Sequence, residues 1–217
     1  MLKEFEKRIL SSIILIPIAI FFIIQGSTLF IFFLSIIFLV ASFEWFKMSK
    51  KNNLLKLIGI TFLLYSFYAA FKFRDDNNFV DFLFVITICI LTDIGGYIFG
   101  KIFKGPKLIS ISPNKTYAGL IGSFILTILS IIFLFEKGYF FNFETNVTYL
   151  TYLLAIIISI ISQIGDIVIS YFKRLSNIKD TGNIIPGHGG LLDRADGIIF
   201  AFPFTYLIFT TSTINFL

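Results

Sequence analysis

Residues 170–196 form a polar segment between two long apolar stretches, and their side chains suit phosphate and metal chemistry. The segment holds four basic residues, three acids and the only histidine of the chain: Lys173, Arg174, Lys179, Arg194, Asp180, Asp193, Asp196 and His188. Carboxylate oxygens are preferred ligands of hard cations such as Mg²⁺, while lysine and arginine neutralise phosphate oxygens. The segment therefore predicts a site for magnesium and a polyphosphate.

Glycines at 187, 189 and 190 lie in the middle of this segment, where they let the backbone approach a ligand closely. The Asp-Arg-Ala-Asp run at 193–196 has a simpler explanation, a helix cap with a local ion pair. A cap needs one acid, but the run itself has two. Two further acids, Asp93 and Asp166, are expected at the same membrane depth. Their number favours a metal and phosphate site over a cap.

Asp93 and Asp166 each lie near the end of an apolar segment. Gln163, Asp166 and Ser170 have the spacing that places three side chains on one face of a helix. An ionisable side chain in a membrane segment is costly unless it is paired or faces water. Asp93 and Asp166 are therefore candidate functional residues. An ion path through a transporter is the alternative interpretation of such acids.

Residues 101–116 form a loop that also suits phosphate binding, because it combines four lysines with hydroxyl and amide side chains. The lysines alone would indicate only the positive charge common in cytoplasmic loops. The polar cluster shifts the interpretation toward phosphate, and its members are Ser110, Ser112, Asn114, Lys115 and Thr116.

Composition identifies the elements that must position these residues as membrane helices. The chain of 217 residues is 57% hydrophobic and only 14% charged, and its 30 phenylalanines exceed what one aqueous core of this size holds. Seven continuous apolar segments predict an all-α, polytopic helical membrane protein with about seven transmembrane helices: residues 9–24, 27–45, 54–71, 79–99, 118–135, 147–168 and 197–216. The single cysteine, Cys89, excludes an intramolecular disulfide.

The distribution of basic residues predicts the orientation of these helices. All but three of the 18 lysines and arginines fall on one set of alternate connections, which indicates a cytoplasmic amino terminus and a catalytic face on the cytoplasmic side. The net charge of +5 is thereby explained, and no nucleic-acid partner is expected. Two regions are predicted: amino-terminal helices in 1–78, where Glu44 and Trp45 have structural roles, and a catalytic region in 79–217.

At residues 170–196 the chain resembles the phosphatidate cytidylyltransferase (CDP-diacylglycerol synthase) family. The family signature has the form S-x-x-K-R-x4-K-D-x5-P-G-H-G-G-x-x-D-R-x-D, and every fixed position is met here. These positions are Ser170, Lys173, Arg174, Lys179, Asp180, Pro186, Gly187, His188, Gly189, Gly190, Asp193, Arg194 and Asp196. Residues 93–100, 112–116 and 163–166 are similar to further family motifs.

The resemblance implies synthesis of CDP-diacylglycerol and pyrophosphate from CTP and phosphatidate in phospholipid biosynthesis. It implies Mg²⁺ on Asp166 and Asp193, with Asp196 and Asp93 in support and a monovalent cation such as K⁺ as a possible second ion. Phosphates would be held by Lys173, Arg174, Lys179, Arg194 and Lys115, while His188 and the glycines shape the nucleotide loop. Asp180, Ser112 and Thr116 complete the implied substrate-binding set. A homodimer in the bacterial inner membrane is also implied.

The chain departs from the family pattern at two positions, where Ala118 and Ile169 replace glutamates that the family commonly has. Three alternatives therefore stay open beside the phosphatidate reaction. They are an isoprenoid lipid phosphate as acceptor, a transporter, and a catalytically inactive relative.

Overall fold

The computed structural model describes residues 4–49, 52–109, 112, 115–136, 149–187 and 189–211, and the regular structure in these ranges is helical. The elements in order are α1 (Glu4–Gln25), α2 (Ser27–Met48), α3 (Asn53–Asp76), α4 (Phe79–Phe103), α5 (Tyr117–Ser130), a π-helical stretch (Ile131–Glu136), α6 (Tyr149–Leu175), α7 (Leu192–Ala195) and α8 (Ile198–Thr211). The prediction of an all-α membrane protein is confirmed.

Five helices, α1 to α4 and α6, are long and apolar enough to cross a bilayer. The other two predicted segments form shorter apolar helices, α5 with its π-helical extension and α8. The predicted ends need two corrections. α6 continues to Leu175, so Lys173 and Arg174 lie in its last turn. The last segment does not form one helix with the acids at its start, because a turn at 196–197 separates α7 from α8.

Glycines allow α4 and α5 to pack closely, and this pair makes the most extensive helix contact in the described structure. A Cβ atom added at Gly95 would lie 2.7 Å from the Gly122 carbonyl oxygen, and one at Gly119 would lie 2.6 Å from the Gly96 carbonyl oxygen. Side chains at these positions would force the helices apart. The close contact brings Asp93 of α4 near Lys115 and Thr116, which directly precede α5.

Aromatic side chains fill the core between the helices. Phe30 of α2 and Phe73 of α3 are fully buried. The ring of Phe82 stacks on that of Phe202, with 4.4 Å between the ring centroids. Trp45 is 5% exposed, donates its indole N–H to the Leu55 carbonyl oxygen and packs edge-on against a neighbouring ring. Trp45 therefore belongs to the core, in agreement with its predicted structural role.

The polar connections meet at one end of the helices. Arg8 at the start of α1 contacts Gly187, and Glu44 near the end of α2 contacts Leu191. At the opposite end Arg74 donates to the Ile23 and Ile24 carbonyl oxygens, at 2.8 and 3.2 Å. The alternation of helix directions thus agrees with the sequence prediction. Assignment of the polar end to the cytoplasm stays a prediction.

Candidate active site

A polar cavity of about 400 Å³ lies where α4, α5 and α6 meet the segment that follows α6. It brings together ten of the residues singled out in the sequence, although they come from separate parts of the chain. They are Asp93, Ser112, Lys115, Thr116, Asp166, Lys173, Asp180, Asp193, Arg194 and Asp196. The cavity is therefore the place where these acids and bases can act on one ligand, and their individual roles stay predictions.

Asp166 on α6 is paired with Lys115 at the start of α5. The Lys115 ammonium lies 2.6 Å from Asp166 Oδ2 and 3.3 Å from the Gln163 carbonyl oxygen. Ser170, one turn further along α6, donates to Asp166 Oδ1 at 3.4 Å. Thr116 fixes the helix start beside Lys115, because its hydroxyl oxygen accepts from Gly119 N–H at 3.1 Å. Asp166 therefore projects from a regular helix, and Lys115 lies directly before the capped start of another.

Asp193 is the most heavily hydrogen-bonded acid in the cavity. Its Oδ1 accepts from the Lys173 ammonium at 2.8 Å. Its Oδ2 accepts from the backbone N–H groups of Thr181 and Gly190, at 2.8 and 3.1 Å, and lies 3.1 Å from the Thr181 hydroxyl. Asp193 consequently ties α6 to both ends of the segment 181–190.

Asp196 is buried, with 7% of its surface exposed, in the turn between α7 and α8. Burial raises the pKa of its carboxyl group well above the usual range, and the carboxylates of Asp166 and Asp93 raise this pKa further. Lys173 opposes the shift. Three acids thus act on each other at the cavity wall, an arrangement that additional positive charge would stabilise.

In the described ranges no group of three or more histidine, cysteine or acidic side chains is placed to hold a metal ion. Mg²⁺ in nucleotide sites is usually held by one or two carboxylates, with phosphate oxygens and water completing its ligands. Asp166 and Asp193 fit this requirement, because both present hard carboxylate oxygens to one cavity. A cation on Asp166 Oδ2 or Asp193 Oδ1 would share that oxygen with the Lys115 or Lys173 ammonium group. The two predicted ligands therefore suit a cation, with Asp196 and Asp93 on the same cavity wall.

A second polar cavity of about 400 Å³ adjoins the first, and Asp180 and Arg194 line both. Its remaining lining residues are Arg8, Lys179, Asn183, Ile185, Gly187 and Gly189. The structure thus places Lys179 and two of the signature glycines beside the main cavity rather than in it. Three basic side chains, those of Arg8, Lys179 and Arg194, make this second cavity suitable for anionic groups.

Among the described residues, two predicted ones line neither of these cavities. Arg174 is exposed and donates to the Ile178 carbonyl oxygen at 3.3 Å, away from the main cavity. Gly190 is buried against Thr181 and Glu44, where it leaves room for their side chains. His188 lies outside the described residues, so its predicted role is untested.

Sequence reasoning missed three residues that hydrogen-bond to the signature segment, Arg8, Ser11 and Glu44, and Ser11 donates to the Pro186 carbonyl oxygen at 3.2 Å. Arg8 donates to the Gly187 carbonyl oxygen at 2.7 Å, and Glu44 accepts from Leu191 and Leu192. Arg8 was interpreted only as a topology signal. The signal for Glu44 was a single acid in the apolar run of α2, the same signal that identified Asp93.

Comparison with known proteins agrees with the motifs. The sequence model of the Cytidylyltransferase family matches residues 54–212. The chain is 36% identical over 211 residues to the phosphatidate cytidylyltransferase of Rickettsia bellii, covering 93% of this chain and 89% of the relative. The corresponding protein of Rickettsia felis is 35% identical over 212 residues, covering 93% and 90%. That of Staphylococcus haemolyticus is 44% identical over 149 residues, covering 67% and 53%. With its signature residues gathered at one cavity and relatives this similar along nearly its whole length, the chain belongs to the cytidylyltransferase family.

Proposed function

We propose that this protein is a CTP:phosphatidate cytidylyltransferase, which forms CDP-diacylglycerol and pyrophosphate. The observation that carries the proposal is the main cavity, where acids and bases from α4, α5, α6 and the signature segment face one space at one end of membrane helices. The relatives are named for the same activity. Both substrates carry phosphates, and one of them is a lipid.

The proposed reaction transfers a cytidylyl group. A phosphate oxygen of phosphatidate forms a bond to the α-phosphorus of CTP, the bond from that phosphorus to the β-phosphate oxygen breaks, and pyrophosphate leaves. The attacking phosphate monoester is already anionic near neutral pH, since its second pKa is about 6. The protein therefore has to position the phosphates and offset their charge, and general base catalysis is not required.

The bases of the cavity have distinct places in this scheme. Lys115 and Lys173 are held by Asp166 and Asp193, so their ammonium groups are already oriented toward the cavity. Arg194 lines both polar cavities, which allows it to contact phosphates in either one. Mg²⁺ bound by Asp166 and Asp193 would neutralise negative charge on the triphosphate. A second, monovalent cation such as K⁺ is part of the same proposal.

An apolar cavity of about 260 Å³ provides a place for an acyl chain. It lies among α1, α2, α3, α4 and α8, and Arg194 lines it together with residues such as Phe30 and Phe202. Arg194 also lines both polar cavities, so a lipid phosphate at Arg194 leaves its chain beside an apolar wall. We propose that phosphatidate binds across this residue, with the site facing the cytoplasm of a bacterial inner membrane and the protein forming a homodimer.

The test is the reaction of the purified, detergent-solubilised protein with radiolabelled CTP, phosphatidate and Mg²⁺. The expected result is label in the lipid fraction together with an equal amount of pyrophosphate, abolished in Asp166→Asn and retained in Asp75→Asn. Asp75 is the matched control because it is an exposed carboxylate on α3. A parallel reaction with an isoprenoid phosphate tests the alternative acceptor. Folded wild-type protein that labels neither lipid would refute the proposal.

A further inference from the structure

Glu44 of α2 lies outside the region matched by the family model, yet it contacts the signature segment. We propose that Glu44 is a positioning residue for the transfer reaction, holding residues 181–192 so that Asp193 and Lys173 keep their places in the cavity. The inference rests on the proposed function for its kinetic consequence. The structural link itself does not depend on that function.

The Glu44 carboxylate is 1% exposed and uses both oxygens in bonds to the signature segment. Oε1 accepts from Leu191 N–H at 3.0 Å. Oε2 accepts from Leu192 N–H at 2.8 Å and from the Thr181 hydroxyl at 3.0 Å. Burying a carboxylate is costly unless donors satisfy it. These three donors stabilise Glu44 inside the protein and fix both ends of the segment to α2.

Thr181 connects Glu44 to Asp193. Its hydroxyl lies 3.0 Å from Glu44 Oε2 and 3.1 Å from Asp193 Oδ2, and its backbone N–H donates to Asp193 Oδ2 at 2.8 Å. A hydroxyl has one hydrogen, so it donates to one of the two carboxylates at a time. Displacement of Thr181 would therefore disturb Asp193 as well, and with it the 2.8 Å contact to Lys173.

Two glycines of the segment leave the space that the Glu44 carboxylate occupies. A Cβ atom at Gly182 would lie 2.6 Å from Glu44 Oε1. A Cβ atom at Gly190 would lie 2.7 Å from Oε2 and 2.8 Å from Oε1, and would also overlap the Thr181 hydroxyl. The segment is therefore shaped around this side chain. This fit accounts for glycine at position 190 in this chain without any contact with nucleotide.

Glutamine at position 44 separates positioning from simple packing, because it keeps the shape of the side chain. Its amide nitrogen must replace one carboxylate oxygen. At the Oε1 place the nitrogen would face Leu191 N–H, and at the Oε2 place it would face Leu192 N–H. One backbone donor loses its acceptor in either orientation, while the apolar contacts of α2 are unchanged.

The first experiment measures amide hydrogen exchange in the wild type, Glu44→Gln and Asp75→Asn, without substrate. We expect faster exchange in Glu44→Gln alone, at Leu191 if the amide nitrogen takes the Oε1 place and at Leu192 if it takes the Oε2 place. Unchanged exchange at these two amides would overturn the inference. This readout is independent of the reaction, so faster exchange in Glu44→Gln with an inactive wild type would refute the proposed function and leave the structural link standing.

The second experiment measures kcat, the KM for CTP and the half-saturating Mg²⁺ concentration at a temperature where all variants are folded. Displacement of catalytic groups by about 1 Å costs on the order of a hundredfold in rate, so we expect kcat of Glu44→Gln to fall by about tenfold to a hundredfold. We also expect a higher half-saturating Mg²⁺ concentration. A merely structural role would lower the unfolding temperature and leave both values unchanged in the folded protein, which would overturn the inference.

Thr181 supplies a second variant pair with little change in volume. Thr181→Val removes the hydroxyl that lies between Glu44 and Asp193, whereas Thr181→Ser retains it. We expect Thr181→Val to lower kcat in the same direction as Glu44→Gln, and Thr181→Ser to stay near wild type. Equal activity of the valine and serine variants would contradict the proposed connection.

Discussion

Asparagine at position 193 removes a charge at the most highly connected carboxylate of the cavity while keeping its shape. The asparagine oxygen can take the Oδ2 place and keep the Thr181 and Gly190 donors. Its nitrogen then occupies the Oδ1 place, 2.8 Å from the Lys173 ammonium, and two donors face each other. The substitution therefore removes the ion pair, and with it one predicted ligand of Mg²⁺.

The contacts set the expected size of the effect. A hydrogen bond to a charged group contributes about 1.5–3 kcal/mol. The side chains of Lys173 and Asp193 are only 12% and 8% exposed, so solvent screens their interaction weakly. We expect Asp193→Asn to destabilise the protein by about 2–3 kcal/mol and to lower kcat/KM at least about a hundredfold, which corresponds to roughly 2.7 kcal/mol.

Radiolabelled CTP incorporation into lipid and thermal unfolding in detergent measure the two quantities, with Asp75→Asn as the control. A Mg²⁺ titration adds the test of ligation, since loss of a ligand raises the half-saturating concentration. Lys173→Met should lower stability and kcat/KM by similar amounts. The double variant should lower each quantity little more than the more harmful single substitution does. Fully additive effects, or activity of Asp193→Asn within threefold of wild type, would refute the reasoning.

Three other substitutions test further parts of the structure. Lys115→Met removes the ammonium 2.6 Å from Asp166 and should lower the initial rate at least about tenfold, roughly 1.4 kcal/mol; a change under threefold would contradict its phosphate-binding role. Asp196→Asn removes a carboxyl group whose pKa is raised in the folded protein. Because of this raised pKa, the metal-free wild type loses stability as pH rises from about 4 to the folded-state pKa. The unfolding temperature of Asp196→Asn in EDTA should therefore exceed that of wild type at pH 7–8, with the difference shrinking toward pH 4. Gly95→Val should destabilise the α4–α5 contact by about 1–3 kcal/mol, because its Cβ would lie 2.7 Å from the Gly122 carbonyl oxygen; an unchanged unfolding temperature would contradict the close packing.

The sequence was sufficient to predict the class of fold and ten of the residues that line the main cavity. Continuous apolar runs determine helices in a membrane, because every backbone polar group there must be bonded within the segment. Acids such as Asp93 and Asp166 stand out for the same reason, since an ionisable group among apolar residues requires a partner. That reasoning identifies candidate residues from their local surroundings alone, and it needs no knowledge of which helices touch.

Pairing between distant residues could not be predicted in this way. Glu44 and Leu192 are separated by 148 positions, and Arg8 and Gly187 by 179. Charge and periodicity show that each side chain needs a partner but do not identify it. The structural role predicted for Glu44 did not specify a partner, and the structure turns its carboxylate inward to the backbone of the signature segment. The turn between α7 and α8 was missed because the sequence there gives no break in apolar character after Gly197.

The amino-terminal helices consequently do more than hold the protein in the membrane. The segment 176–191 has little regular structure of its own, so its shape depends on contacts with neighbouring elements. Three helices support it by hydrogen bonds. Lys173 of α6 acts through its bond to Asp193, Glu44 of α2 bonds to Thr181, and Arg8 of α1 bonds to Gly187. Two of these three supports lie before residue 54, where the family match begins. Residues 1–78 therefore supply contacts that hold the signature segment, while the predicted division into residues 1–78 and 79–217 stays a prediction.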